Sequence, residues 1–294
     1  MQEVMETRMD RRALAAAGVT VVLWASAFVS IRSAGQFYSP GALALGRLLV
    51  AALALGVILV ARREGWPARK AWPGIVVSGV LWFGVYMVAL NWGETQVEAG
   101  TAAMVINIGP LLIALLAGWF LHEGFPRKLL IGMAVSLAGA VVVGLSKSEG
   151  GASSILGVAL CVVAALSWAV AILAQKPALR HASALQVTTF GCAIGAIACL
   201  PFAGQLVSQV AQAPTTATLN VVFLGVFPTA LAFTTWAYAL SRTTAGNMGA
   251  TTYLVPTLVV LMSWALLSEI PGWLTLAGGA LCLIGVAISR RTRG

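Results

Sequence analysis

The sequence predicts an all-α membrane protein: ten transmembrane helices forming two inverted five-helix repeats, with the N and C termini cytoplasmic. Three observations predict it. Hydrophobic residues make up 60% of the chain and charged residues only 9%, whereas a soluble domain carries about 25% charged residues. Too few polar side chains remain to cover a surface facing water. Second, the chain repeats itself. Ala99-Gly100, Pro110, Glu123, Gly132 and Gly139 recur 146 residues later as Ala245-Gly246, Pro256, Glu269, Gly278 and Gly285. Third, lysine and arginine alternate in abundance from one connection to the next, the pattern by which loops of a membrane protein sort to one side.

Each helix follows from a continuous apolar run. A hydrocarbon core about 30 Å thick needs about 20 apolar residues per helix. Such runs lie at 13–32, 41–61, 73–92, 99–121, 127–146, 155–176, 185–206, 217–241, 246–267 and 273–289. Strands of a barrel alternate every second residue, and these runs do not. Backbone groups in lipid must bond internally, which leaves helices. The arginine that precedes the first run (Arg8, Arg11, Arg12) is followed by span after span, so that run reads as a retained helix.

The charge pattern then assigns sides. The N-terminus and alternate connections hold Arg62, Arg63, Arg69, Lys70, Arg127, Lys128, Lys176, Arg180 and Arg242, and the C-terminus adds Arg290, Arg291 and Arg293. The opposite connections hold Arg32 and Lys147. This bias places both termini in the cytoplasm and requires an even number of spans. The boundary between repeats falls between 1–147 and 148–294. With five helices each, the second copy enters the membrane inverted, and inverted repeats around a midplane site are a common plan of secondary transporters. The net charge of +9 sits at span ends, which suits anionic headgroups and excludes a nucleic-acid face. The expected partners are the lipid bilayer and a small-molecule substrate, as monomer or dimer.

At this point the residues resemble a known family. Ala89-Leu90 and Ala239-Leu240, then Pro110 with Glu123 and Pro256 with Glu269, are similar to the drug/metabolite transporter superfamily in its EamA-type branch. Arg47 followed by Leu48, Leu49, Val50 and Ala51 looks like that family's arginine motif in the second helix. Within the family the chain looks most like aromatic amino acid exporters of the YddG type. The resemblance implies export of small metabolites from the bacterial inner membrane by alternating access, amino acids above all, with multidrug or other metabolite export as the alternative. It implies no cofactor.

The residues suggest a site. Trp24, Trp82, Tyr86, Asn107, Trp168, Trp236 and Tyr253 lie within spans, where indole N–H, phenol and amide groups need partners that a cavity would supply. Packing between helices is the plainer reading of any one of them. Pro110 and Pro256 read as paired mid-helix kinks, each removing a hydrogen bond to the carbonyl four residues earlier. Glu123 and Glu269 read as caps at helix starts rather than proton carriers. The other carboxylates, Glu94 among them, fall in ends and connections, so no mid-membrane carboxylate is expected and substrate-driven or weakly proton-coupled transport follows. Arg47 reads as a structural arginine bonding carbonyls near the outer end of its helix. Gly132, Ser136, Ala140 and Gly144, with Gly139, form a small-residue stripe, and Gly278, Cys282 and Gly285 form another. Small residues at this spacing let helix backbones touch.

Two other function classes are weaker. A membrane-embedded enzyme needs a metal or catalytic cluster, and His122 and His181 stand at span ends without ligand spacing. A channel with two halves differs from a carrier in kinetics rather than in sequence. The four cysteines lie in apolar runs and read as packing residues.

Overall fold

The computed structural model describes residues 11–122, 124–125, 127–146, 151–267 and 272–290. All regular structure there is helical. In chain order the helices are α1 (Arg11–Ala34), α2 (Pro40–Ala61), α3 (Arg69–Gln96), α4 (Ala99–Ile106), α5 (Gly109–Phe120), α6 (Arg127–Ser146), α7 (Gly151–Ala178) and α8 (Ala184–Ala198). There follow α9 (Leu200–Gln212), α10 (Thr215–Ser241), α11 (Ala245–Leu266) and α12 (Trp273–Arg290). Apolar side chains such as Leu53, Val57 and Val60 on α2 point outward and are exposed, as a lipid-facing surface requires.

The expected ten-span architecture of two inverted five-helix repeats is not what these residues show. Among the described residues six helices are long and apolar enough to cross a membrane: α1, α2, α3, α7 from Ile155, α10 and α11. A seventh results if α8 and α9, bent by 56° at their junction, form one span. The physical reason is continuity. An apolar run counts the same whether or not its helix is broken, and two of the runs are broken. The 99–121 run splits at Asn107–Ile108 into helices of 8 and 12 residues, about 12 and 18 Å long at about 1.5 Å per residue, each too short to cross alone. In the 185–206 run, Pro201 sits in a single 3₁₀ turn, Leu200–Phe202, where α8 ends. Beyond the bend, α9 buries none of its residues. Residues 1–10 and 291–294, which carry part of the charge bias, lie outside the described ones.

A further correction concerns Pro110, which is not a mid-helix kink, whereas Pro256 does lie in the middle of α11. Pro110 opens α5 at its first turn. Pro256 is the second residue of the α-helical part of α11, directly after a 3₁₀ turn at Thr252–Leu254. First-turn N–H groups have no intrahelical acceptor, so Pro110 removes nothing. Pro110 begins a new helix behind a break, and Pro256 sits inside α11 where a 3₁₀ turn passes into α-helix.

Two long helices change pitch internally. Within α3, Gly79–Tyr86 winds as a π-helix, and within α10 Gly225–Leu231 does the same. In α10 the cause is legible. Pro228 has no N–H for the Leu224 carbonyl four residues back. The Thr229 hydroxyl donates to that carbonyl instead, at 2.7 Å.

Packing brings these irregular stretches to the centre. Helix α7 lies against α3, α4 and α5, α1 against α10 and α11, and α2 against α8 and the π segment of α10. Glycines set the closest crossings. A Cβ on Gly225 would lie 2.6 Å from Val50 and 2.8 Å from the Arg47 carbonyl, so α2 and α10 touch by their backbones there. One on Gly93 would lie 2.8 Å from the Cys161 sulfur, which fixes the crossing of α3 and α7. Along the flank, α12 packs lengthwise on α6, and a Cβ on Gly285 would run into the Ser136 hydroxyl and the Gly132 carbonyl.

Candidate functional site

The centre of the bundle is an aromatic cluster drawn from α1, α3, α7 and α10. The Trp24 ring meets Trp82 at 5.8 Å, Trp168 at 6.1 Å, Phe233 at 5.4 Å and Trp236 at 4.9 Å between centroids. Phe83 packs on Phe233 at 4.8 Å. Room for these rings comes from glycine: a Cβ on Gly109 would press 2.5 Å from the Trp168 ring, and one on Gly191 would stand 2.8 Å from Phe83.

The rings do not fill the space they enclose. A cavity is lined by Trp24, Trp82, Tyr86, Asn107 and Trp168, together with Arg47. Its remaining walls include Phe28, Ala103, Ile106, Phe233 and Thr252. Small-molecule sites are likewise mostly apolar with a few placed polar groups.

Of the seven residues expected at a site, five therefore share this cavity. Trp236 stands behind it, fully buried against Trp24, Trp82 and Trp168. Tyr253 is elsewhere, in a small cluster with Ala114, Met133 and Ala250. The 3₁₀ turn at Thr252–Leu254 winds more tightly than an α-helix, and Thr252, not Tyr253, faces the cavity. Gly132, Gly139, Gly278 and Gly285 are buried on the flanking helices α6 and α12, away from it. Glu123 and Glu269 lie outside the described residues, as do the side chains of Ala140, Gly144 and Cys282.

Within the cavity the polar groups are distinctive. The Nε1 atoms of Trp24 and Trp168 and Nδ2 of Asn107 are buried with no hydrogen-bond partner among the described residues. Leaving a buried donor unmet costs about 1–3 kcal/mol, so a site that keeps several has a use for them. Arg47 is 3% exposed. Its Nε donates to the Thr229 hydroxyl at 3.0 Å, not to helix-end carbonyls as the sequence suggested. The neighbouring groups that act on it electrostatically are Tyr86, Glu94 and Cys192.

Three of these features escape sequence reasoning. Glu94 was expected in a connection, yet α3 continues to Gln96 and Glu94 is 2% exposed on its last turn. Its backbone carbonyl accepts from Arg32 Nη1 at 2.8 Å. Thr229 and Phe233 carry no repeat signal strong enough to single them out, although Phe83 precedes Phe233 by the same 150 residues that separate Ala89 from Ala239. Arg47 was visible, and only its surroundings were not. Among the described residues no cluster of histidine, cysteine or carboxylate groups could hold a metal ion.

Comparison with known proteins bears on the whole chain. The EamA-like transporter family matches it twice, over residues 11–145 and 155–291. A probable terminal-alkyne amino-acid exporter of Streptantibioticus cattleyicolor is 36% identical over 277 residues, covering 94% of this chain and 93% of the relative. The uncharacterized transporter YdfC of Bacillus subtilis is 32% identical, covering 91% and 87%. A solved crystal structure with 22% identity superposes with a TM-score of 0.75 over 96% of this chain and 99% of its own, a likeness of fold. None of these relatives singles out the YddG-type aromatic exporters. Similar transporters occur in bacteria and archaea. The protein is a multi-pass membrane protein that belongs to the EamA-like transporter family, and it is a transporter of small molecules rather than an enzyme.

Proposed function

We propose that this protein exports small metabolites or drug-like molecules through the aromatic cavity by alternating access. The observation that carries the reading is the cavity itself: apolar rings from α1, α3, α7 and α10 around unmet N–H donors. Rings of this kind accept a wide range of flat or apolar bodies, which favours a broad metabolite or multidrug role over a dedicated aromatic amino acid exporter. A narrower amino acid reading is favoured by two relatives. One is the probable terminal-alkyne amino-acid exporter. The other is a probable amino-acid metabolite efflux pump of Salmonella typhimurium, 25% identical over 92% of each chain.

Two units, 1–147 and 148–294, would move against each other around the cavity, a division supported by the two family matches. The break before Pro110 and the change of pitch before Pro256 are the proposed hinges, since irregular or terminal helix positions absorb a backbone change at lower cost than a regular helix interior. The lysine and arginine bias supports placement in the bacterial inner membrane with both termini cytoplasmic.

Counterflow in proteoliposomes tests the function. Preloaded vesicles are given a panel of radiolabelled amino acids and amphipathic drugs, with and without a pH gradient. Saturable exchange of at least one compound is the expected result. Single-channel currents without saturation would replace the carrier by a pore.

A further inference from the structure

We propose that Arg47 recognises a carboxylate on the transported molecule, so that the substrate class is an apolar or aromatic body bearing one acid group. The inference rests on the reading of the aromatic cavity as the substrate site. Three observations carry it.

First, Arg47 stands in the cavity wall with its charge deep in the bundle. A guanidinium offers five N–H donors. Among the described residues its one hydrogen bond is from Nε to Thr229, which leaves the two terminal nitrogens. A carboxylate matches that pair of nitrogens side by side.

Second, the other unmet polar atoms of the cavity are also donors: Trp24 Nε1, Trp168 Nε1 and Asn107 Nδ2. The Thr252 hydroxyl donates to the Gly249 carbonyl at 2.7 Å and, with the Tyr86 hydroxyl, is the acceptor-capable group set against these donors. An ionised carboxylate is acceptor-only. Three unmet N–H donors and a guanidinium outnumber the two hydroxyls, so the cavity suits an acid with an apolar tail better than an amine of the same shape.

Third, Arg47 is held in place from behind. The Thr229 hydroxyl spends its proton on the Leu224 carbonyl and can only accept from Arg47 Nε. Glu94 acts on the guanidinium electrostatically. It moderates the charge without taking the terminal nitrogens.

Binding to the purified full-length protein, followed by quenching of tryptophan fluorescence or by calorimetry at neutral pH, tests the proposal. The probes are matched pairs: 3-phenylpropionate with 3-phenylpropionamide, and hexanoate with hexanamide. Wild-type protein is expected to bind each acid roughly ten- to a hundred-fold more tightly than its amide, as a charge-assisted hydrogen bond implies. Arg47→Gln should erase the difference, and Arg47→Lys should restore part of it. Should Arg47→Gln fail to fold, the wild-type acid-to-amide ratio still decides.

Equal binding of acid and amide by wild type overturns the proposal. So does a preference that survives Arg47→Gln, or failure of every acid to bind. The variant Ala103→Leu, which fills the cavity, separates this from the underlying reading. If it weakens acid and amide alike while wild type shows no preference, the cavity stands as the site and Arg47 loses its role. If it changes neither, the cavity reading itself falls.

Discussion

The flank and the centre of this molecule solve opposite problems with the same residue. On the flank, Gly285 of α12 meets Gly132 and Ser136 of α6, and the missing side chain lets two backbones touch. At the centre, Gly109 and Gly191 make room for the Trp168 and Phe83 rings, and those rings stand around an open space. Glycine at the flank abolishes volume, and glycine at the centre makes volume usable. Enlarging one small residue in each region should therefore fail in different ways.

The largest effect belongs to the flank. Gly285→Leu would drive a side chain into the Gly132 carbonyl, and overpacking of this kind costs about 1–3 kcal/mol even where neighbours can yield. Most of the folded protein should be lost, read as the monodisperse fraction in detergent and its thermal midpoint. Ala103→Leu at the centre comes next. Ala103 lines the cavity, so its added atoms take substrate volume rather than force two backbones apart: folded yield should fall less than for Gly285→Leu while flux falls by roughly ten-fold or more. If Ala103→Leu also lost its folded protein, the distinction between the regions would collapse.

Pro228→Ala sharpens the comparison from the backbone side. A proline within a helix costs about 3 kcal/mol relative to alanine, so the thermal midpoint should hold or rise. The restored N–H competes with Thr229 for the Leu224 carbonyl and frees the hydroxyl that holds Arg47. Flux should fall by about three- to ten-fold, the loss of one buried hydrogen bond. The smallest effect is expected for Tyr253→Phe. That side chain lies in the α5–α6–α11 cluster and not in the cavity, so substrate preference measured by competition should move by no more than about two-fold, within the scatter of a surface-like change.

Much of this was legible in the residues. The apolar runs gave the long helices because lipid admits little else, and the tryptophans of α1, α3 and α7 stood out as polar handles with no partner on their own helix. Their convergence around one space could be anticipated from chemistry. Continuity could not. Asn107–Ile108 and Thr252–Leu254 lie inside runs that are otherwise apolar, and whether a helix breaks or changes pitch there depends on what packs against it. Pro110 was read as a kink for that reason, although a proline is equally at home in a first turn. Tyr253 was misplaced by the same cause, since a tighter turn rotates every later side chain. Glu94 was assigned to a connection because a carboxylate in a span is expensive. Tertiary burial extended α3 past it all the same.

One hydroxyl links these lessons. Because Thr229 already owes its proton to a carbonyl, it grips the guanidinium by the handle and leaves the tines of the fork pointing outward. A passing acid could then be seized and let go without any backbone bond being broken. Such an anchor would give a carrier selectivity for charge without slowing release of the cargo.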